Sequence, residues 1–317
     1  MGDQPDLSVG VVSWNTRDLL CQCLESVYNT SDGPAPEVTV VDNASSDGSP
    51  EMVAFRFPRA RLVRNRVNLG FAAACNLAYK HSAGRYFLLL NSDTIVLDDA
   101  LKMLMGFMDA HPEAGAAGAK LLNRDGTLQR SCSRFPGVLT ELFDALYLSK
   151  LFPRSRLFGG YSMSYWDFDE VREVDFVGGS CLILRREALE EVGLLDESFF
   201  MYTEEADLCY RLWQRDWAVY YCPDAKVVHL GGESARQYGS RILLHLYAGR
   251  NRFIRKHRGR WAAAAHRVVV AIGALSRLCA YGIRRFKGRD ETGAISFQTD
   301  LLKWTVGRLP DPMPSRC

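Results

Sequence analysis

No two cysteines in this 317-residue chain form a CxxC pair, although there are nine, at positions 21, 23, 75, 132, 181, 209, 222, 279 and 317. Structural zinc sites need such paired spacing, so none is expected. The thiols stand in apolar runs such as Ser180-Cys181-Leu182-Ile183-Leu184, which reads as reduced core residues in a reducing compartment. The apolar run from Val268 to Leu275 is only eight residues long and lies between Arg267 and Arg277. A bilayer span needs roughly 20 residues, so this run is not expected to cross a membrane. The start, Met1-Gly2-Asp3-Gln4-Pro5-Asp6, lacks the basic-then-apolar layout of a secretory leader, and the folded part is expected to face the cytosol. Neither an internal repeat nor a low-complexity tract is present, which excludes solenoid and fibrous architectures.

What is present suits a folded globular protein: 47% hydrophobic and 24% charged residues, enough for a sizeable core. Single α/β units often reach about 200 to 250 residues. One such domain over residues 1–233, with an extension over 234–317, is therefore expected. The net charge of +2 conceals an asymmetry. Ser234 to Arg289 carries fourteen Lys or Arg and no Asp or Glu, which leaves 25 basic against 37 acidic residues elsewhere. The extension and the body differ in electrostatic character.

Leu7 to Trp14 is a short β-branched apolar run, followed by Thr16 as a helix cap and by Leu19, Leu20, Cys23, Leu24 and Val27 at helical spacing. Val38 to Val41 repeats the strand signal and ends in Asp42-Asn43-Ala44-Ser45-Ser46-Asp47-Gly48, a run of turn formers. A short strand over Arg61–Arg64 and a helix from Gly70 to His81 follow. Arg85 to Leu90 is continuously apolar after its first residue, as in a strand covered on both faces, and runs straight into Asn91-Ser92-Asp93. The stretch from Arg134 to Glu173 has poor periodicity and reads as an irregular, partly mobile segment over the site. Beyond it, Gly178-Gly179-Ser180 introduces the run to Leu184; a helix ends near Gly193, another spans Glu204 to Arg215, and strand signals cover Ala218–Tyr221 and Ala225–His229. Strands alternating with helices imply a mostly parallel sheet flanked by helices. Ligands bind beyond the carboxyl ends of such strands. Three polar clusters fall at those ends: Ser13-Trp14-Asn15, Asp42-Asn43 and Asn91-Ser92-Asp93.

Each cluster has a plain reading as turn chemistry, because Asn, Ser and Asp favour turns. The chemical reading is that one carboxylate on a tight strand-end turn suffices to bring Mg2+ or Mn2+ to a diphosphate, whose own oxygens complete the shell. Asp93 fits that role, and Asp42 suits the base or ribose of a nucleotide. In Tyr202-Thr203-Glu204-Glu205-Ala206-Asp207, Thr203 as N-cap places three carboxylates in a first helical turn, where the helix terminus favours negative charge. That turn can also keep a general base ionised. His229 ends an apolar run before Gly231-Gly232, and reads as a structural histidine or as a metal contact.

In order, SVGVVSWNT, VVDNASSDGS, NRVNLGFAAACNLA, LLLNSDT, GGSCLILRREALEEVGLLDESFFMYTEEADLCYRL and VVHLGGES resemble the family 2 glycosyltransferases, most of all the bacterial rhamnosyltransferase-type branch. The resemblance covers Leu7 to Ser234, with an echo in Tyr247-Ala248-Gly249-Arg250-Asn251-Arg252. It implies a GT-A fold, a nucleotide-diphosphate sugar donor, a divalent cation (Mn2+ or Mg2+) and inversion at the anomeric carbon. Asn91-Ser92-Asp93 then occupies the place of the Asp-x-Asp motif, with Asp93 the metal ligand and Asn91 turned to sugar or phosphate. Ser13, Asn15, Asp42, Asn68, Gly70, Asn76 and Ser92 fall in donor-binding segments. Glu205 inherits the base position where the family commonly has Asp, with Glu204 as the other candidate. Gly178, Gly179 and Asp207 are expected on the acceptor side, and His229 matches a histidine that joins the metal. The branch favours L-rhamnose from dTDP-L-rhamnose, ahead of UDP-galactofuranose or a UDP-hexose, and a glycan or polyprenyl-linked acceptor in cell-surface polysaccharide synthesis. A non-catalytic nucleotide-sugar binding protein is the reading of another class.

The extension mixes its basic residues with Leu243, Leu244, Leu246, Tyr247, Phe253 and Ile254. Such a helix suits the anionic surface of a membrane, with the protein peripheral on its cytoplasmic face; alternatively its basic side is solvated or rests against the acidic body. No recognised nucleic-acid module accompanies the charge, so nucleic acid is not an expected partner.

Overall fold

The computed structural model describes residues 5–29, 36–231, 241–287 and 289–312. The order is β1 (Leu7–Ser13), α1 (Arg17–Asn29), β2 (Glu37–Asp42), α2 (Ser49–Arg56), β3 (Arg61–Arg64), α3 (Phe71–Lys80), β4 (Tyr86–Asn91) and β5 (Thr94–Val96). Next come α4 (Ala100–Ala110), β6 (Ala114–Leu122), β7 (Leu128–Gln129), β8 (Cys132–Ser133), α5 (Val138–Ala145), α6 (Leu148–Leu151), β9 (Arg172–Glu173) and β10 (Phe176–Val177). The last are β11 (Cys181–Arg185), α7 (Arg186–Val192), α8 (Glu204–Trp213), β12 (Ala218–His229), α9 (Arg241–Phe286) and α10 (Thr292–Thr305). The main sheet runs β3-β2-β1-β4-β11-β6-β12-β5. β1 is parallel to β2 and to β4, β2 to β3, and β6 to β12. β11 reverses between β4 and β6, and β5 reverses on β12. The sheet is thus mostly parallel, with helices on both faces.

Strand alternation explains why the run Tyr86 to Leu90 has no polar member. Tyr86, Leu88 and Leu90 pack in one core with Leu20, Leu24 and Val27 of α1, while Phe87 and Leu89 pack in a second with Ala74 and Ala78 of α3. Both faces are covered, so period-2 polarity has no place. The two strand signals read over Ala218–His229 are one strand, β12, with a register irregularity between Cys222 and Lys226 against β6. The aromatic segment after Arg134 contains α5 and α6 and is anchored: Phe168 is fully buried and its ring stacks on Trp166 at 4.2 Å.

The extension is helical, as expected, but α9 is broken. Gly259 has φ 87° and ψ 171°, a conformation that only glycine adopts without strain, and the chain doubles back there. Asn251 Nδ2 on the first arm donates to Ala263 O on the second at 2.8 Å. Leu244 and Ala248 meet Val270, Ala274 and α10's Leu301 and Trp304. The first arm is built into the body: Phe253 and Ile254 pack against Phe199. Part of its charge rests on body carboxylates, through Arg250 to Glu141 at 3.0 Å and Lys256 to Asp196 at 2.7 Å. The chosen boundary near Ser234 lies outside the described residues. By length and composition α9 is long and apolar enough to cross a membrane, which the eight-residue run alone did not indicate. The break at Gly259 and the burial of Val270 and Ala274 instead lay the second arm along the protein. Its other face exposes Trp261, Val268, Ile272, Leu275, Ile283 and Phe286, a stripe at helical spacing.

Candidate active site

The register of the sheet gathers the strand-end clusters. Ser13 pairs with Asp42 across β1 and β2, and Val12 pairs with Asn91 across β1 and β4. Ser180, just before the antiparallel β11, reaches the same edge, where its carbonyl accepts the Asn91 N–H at 3.0 Å. Beyond these ends opens a cavity of about 250 Å3, walled by Trp14, Asn43, Asn68 and Phe71 and by Asn91-Ser92-Asp93, Glu204, Glu205 and His229.

The residues expected on the nucleoside side are mutually braced, although neither Ser13 nor Asp42 is among those lining the cavity. Ser13 Oγ lies 3.0 Å from Thr16 Oγ1, which lies 2.9 Å from Ser92 Oγ. Asp42 Oδ2 accepts the Ser45 N–H at 3.0 Å, while its buried Oδ1 has no partner among the described residues. A buried carboxylate oxygen left unpaired is costly, and a ligand donor would satisfy it. Asn43 Nδ2 donates to Asn68 Oδ1 at 3.0 Å and to Gly70 O at 3.1 Å. At Gly70 (φ 85°), a Cβ would fall 2.5 Å from both the Phe200 ring and its carbonyl oxygen, so only glycine admits this approach.

At the other wall, Asp93 Oδ1 lies 3.3 Å from His229 Nε2. His229 Nδ1 lies 2.5 Å from Gln129 Oε1, an acceptor, so Nδ1 donates and Nε2 is turned to the carboxylate. A carboxylate oxygen and an imidazole nitrogen so placed can share a divalent cation. Among the described residues no group of three or more His, Cys, Asp or Glu side chains is placed to hold a metal. A site of one carboxylate and one imidazole fits a cation whose remaining ligands are water and a diphosphate. Asn91 Nδ2 donates to Ser180 Oγ at 3.3 Å and sits 3.5 Å from His229 Nε2. An amide donor there suits sugar or phosphate oxygen rather than a metal.

Glu204 and Glu205 open α8. The expected side-chain cap by Thr203 is not formed: Thr203 is left-handed (φ 77°) and makes no capping bond. Tyr202 before it is also left-handed (φ 68°). Two consecutive non-glycine residues in this region store strain and swing the helix start toward the cavity. Gly249 on α9 presses on this corner, where a Cβ would meet Tyr202 O at 2.8 Å. Oε2 of each glutamate is enclosed without a partner among the described residues. Burial, and then the charge of Glu205, hold Glu204 well above the usual carboxylate range. Burial pushes Glu205 up to about 7. The two carboxyls interact, so they titrate as a pair above the usual carboxylate range.

Not every expected residue reaches the cavity. Asp207 is fully buried and meets Arg211 Nε at 2.9 Å, Lys256 Nζ at 2.9 Å and His257 Nε2 at 2.8 Å. It clamps α8 to α9 and has no surface for an acceptor. Asn76 is bonded to Leu195 O at 2.8 Å and to Glu197 Oε1 at 3.0 Å, so it shapes the site only by tying α3 to that loop. Asn15 holds the neighbouring turn, its Oδ1 accepting the Ser46 N–H at 2.8 Å. Gly178 and Gly179 do line the cavity. Phe71, Ser180 and Tyr202 line it too, without having been singled out by type, because their neighbours carried the motif signal.

A mostly parallel sheet with a cavity of about 250 Å3 at its strand ends, a carboxylate–imidazole pair and an acidic helix start in its wall fits the GT-A class of sugar-nucleotide transferases. A mannosyltransferase from Pyrobaculum calidifontis, solved with GDP-Man and Mn2+, superposes with a TM-score of 0.54 at 20% identity, over 97% of this chain and 87% of that one. GalNAc-T7, solved with UDP, GalNAc and Mn2+, does so with a TM-score of 0.60 at 15% identity, over 97% of this chain and 57% of that one. The sequence profile of glycosyl transferase family 2 matches residues 8–193, and the chain belongs to that family. Over 269 residues it is 29% identical to an N-acetylglucosaminyl-diphospho-decaprenol L-rhamnosyltransferase of Mycobacterium tuberculosis, covering 81% of this chain and 87% of the relative. It is 23% identical to the low-salt glycan biosynthesis hexosyltransferase Agl10 of Haloferax volcanii, covering 78% of this chain and 75% of the relative.

Proposed function

We propose that the protein transfers L-rhamnose from dTDP-L-rhamnose, with inversion, to a hydroxyl of a lipid-linked glycan acceptor in cell-surface polysaccharide synthesis. The observation that carries the transfer reading is Glu205, raised toward neutrality, facing Asn91 and the Asp93–His229 pair in one cavity. Glu205 accepts the acceptor hydroxyl proton as the oxygen attacks the anomeric carbon; the carbon–oxygen bond to the diphosphate breaks on the opposite face, and no covalent sugar–enzyme species is needed. Asp93 and His229 would hold Mn2+ or Mg2+, which when bound supplies charge stabilisation to the departing diphosphate. Asp42, with its unpaired Oδ1, receives the nucleoside. The M. tuberculosis relative supports the choice of donor and of a polyprenyl-linked acceptor; a UDP-hexose or UDP-galactofuranose is the second choice, and the hexosyltransferase relative favours keeping it.

We place the protein at the cytoplasmic membrane surface. The exposed stripe on the second arm of α9 supports this, as do Leu139, Leu146, Leu151, Phe152 and Leu157 on and after α5 and α6. Gly273 of that arm adjoins Ala145 of α5, and Arg260, Arg284, Arg285 and Lys287 border the arm. Such a basic-rimmed apolar face suits an anionic bilayer surface. Incubation with a panel of sugar nucleotides, with and without Mn2+, tests the reaction: binding without transfer or hydrolysis of any donor would leave a non-catalytic binding protein. Flotation with liposomes tests the surface, and equal recovery with and without anionic lipid refutes it.

A further inference from the structure

A second cavity, of about 370 Å3, adjoins the first and shares with it Gly178, Ser180, Tyr202, Glu205 and His229. Their charges differ. Among the described residues, the first is lined by the carboxylates of Asp93, Glu204 and Glu205 and by no Lys or Arg. Among them too, the second is lined by Arg130 and Arg250, with Glu205 its one carboxylate. Glu205 lines both, as a base must if donor carbon and incoming hydroxyl approach it from two sides.

Arg250 is held in a set pose. Its Nη1 donates to Glu141 Oε2 at 3.0 Å, and its guanidinium stacks over the Tyr161 ring at 4.6 Å. Glu141 lies outside the second cavity and Tyr161 is part of its wall. Glu141 takes one corner of the fork, while Nε is enclosed with no partner among the described residues. A guanidinium held in one pose in a cavity wall suits a phosphate oxygen. Arg130 is exposed and adds a second, adaptable cation. Pro136, also lining this cavity, lies two residues before α5, whose exposed apolar side chains belong to the surface assigned above to the membrane.

We propose that this cavity binds the acceptor and that Arg130 and Arg250 recognise an anionic phosphate or diphosphate on it, next to the sugar that is glycosylated. The proposal rests on the transfer reading and adds to it: selectivity for phosphate-linked acceptors is built into the protein. Leu246 and Arg250 both line this cavity, so the first arm of α9 supplies part of its wall.

Calorimetric titration of the full chain tests this without requiring turnover. The probes are undecyl N-acetylglucosaminyl diphosphate, the uncharged undecyl N-acetylglucosaminide, and dTDP with Mn2+. The expected result is affinity about tenfold higher for the diphosphate than for the glycoside, weakening with added salt. Arg130→Gln, at an exposed position, and Arg250→Lys, which keeps a charge beside Glu141 but loses the fork, each remove most of that difference. Equal binding of the two alkyl probes by the unaltered protein overturns the proposal. So does a loss of dTDP affinity in both variants with the acceptor difference intact, which would put the arginines on the donor. Sugar transfer measured in the same preparations separates the two layers: discrimination without transfer from any donor refutes the transferase reading, whereas transfer without discrimination refutes the acceptor site.

Discussion

Asp207→Asn removes the one negative charge on which Arg211, Lys256 and His257 converge. The carboxylate is fully buried, so the amide leaves cationic groups facing one another with a single acceptor oxygen among them. Breaking a buried ion pair by removing one partner costs about 3–5 kcal/mol. Arg211 softens this, because it also donates to the carbonyls of Val192, Gly193 and Leu194 at 2.6, 3.0 and 2.7 Å. The lower end, about 3 kcal/mol, is therefore expected, which at about 2.1 cal/mol/K per residue over 317 residues lowers the melting temperature by roughly 4–5 °C. The control is Asp300→Asn, whose partner Lys303, 3.1 Å away on α10, forms with it a partly exposed pair, and the loss should stay below about 1 kcal/mol. Because Asp207 joins α8 to α9, the variant should also lose turnover with donor affinity retained, as Glu204 and Glu205 lose their aim. Thermal melting by circular dichroism and donor titration give both readouts. A melting temperature within about 2 °C of the control variant would refute the clamp.

The other predictions concern the cavity. Asp93→Ala is expected to abolish Mn2+-dependent donor turnover while the chain stays folded, as measured by melting, since Asp93 stands in the cavity wall and not in either main apolar core. Glu205→Gln is expected to stop transfer and leave donor binding intact; full activity would move the base to Glu204. Transfer should rise as pH passes through about 7, the value to which burial pushes Glu205, and flatten above it. The stability consequence has the opposite sign: a carboxyl raised in the folded state contributes stability that is complete below its unfolded value and lost as pH rises through the folded one. Without divalent cation, Glu205→Gln should therefore be more stable than wild type at pH 8, on the order of 2–3 kcal/mol, and not at pH 4; equal melting at both would refute the burial argument. Gly70→Ala forces a Cβ onto Phe200 at positive φ and should cost about 2–4 kcal/mol by denaturant unfolding.

Where the sequence was legible, two levels of structure agreed. The β1 and β4 runs are apolar because both faces are covered, and each ends in turn formers that serve as the site floor. Where it was not, packing outweighed pattern. Ala114 to Ala119 has no periodic signal, yet it forms the core of β6, since β6 lies between β11 and β12 and only small residues fit there: a Cβ at Gly118 would meet Val177 at 2.1 Å. The left-handed pair Tyr202-Thr203 was hidden for a related reason. Local composition favoured a capped helix, while the backbone is set by Gly249, more than forty positions away.

The placement of Asp207 separates what local geometry can give from what it cannot. A helix turns about 100° per residue, so Asp207 lies about 200° around α8 from Glu205 but only about 60° from Glu204. Spacing alone therefore left an acceptor role open. What the spacing could not provide is the partner on the far side. Lys256 and His257 lie on the first arm of α9, about fifty residues later, and come into range only because that arm packs on Phe199 and on the 202–203 corner. The same arm delivers Arg250 to the second cavity. Its basic residues play different parts on the two sides of the break at Gly259: Arg250 and Lys256 before it reach Glu141, Asp196 and Asp207, while Arg285 and Lys287, well beyond it, are exposed. One run of positive charge thus serves two ends, completing the catalytic unit on one arm and presenting a cationic border on the other.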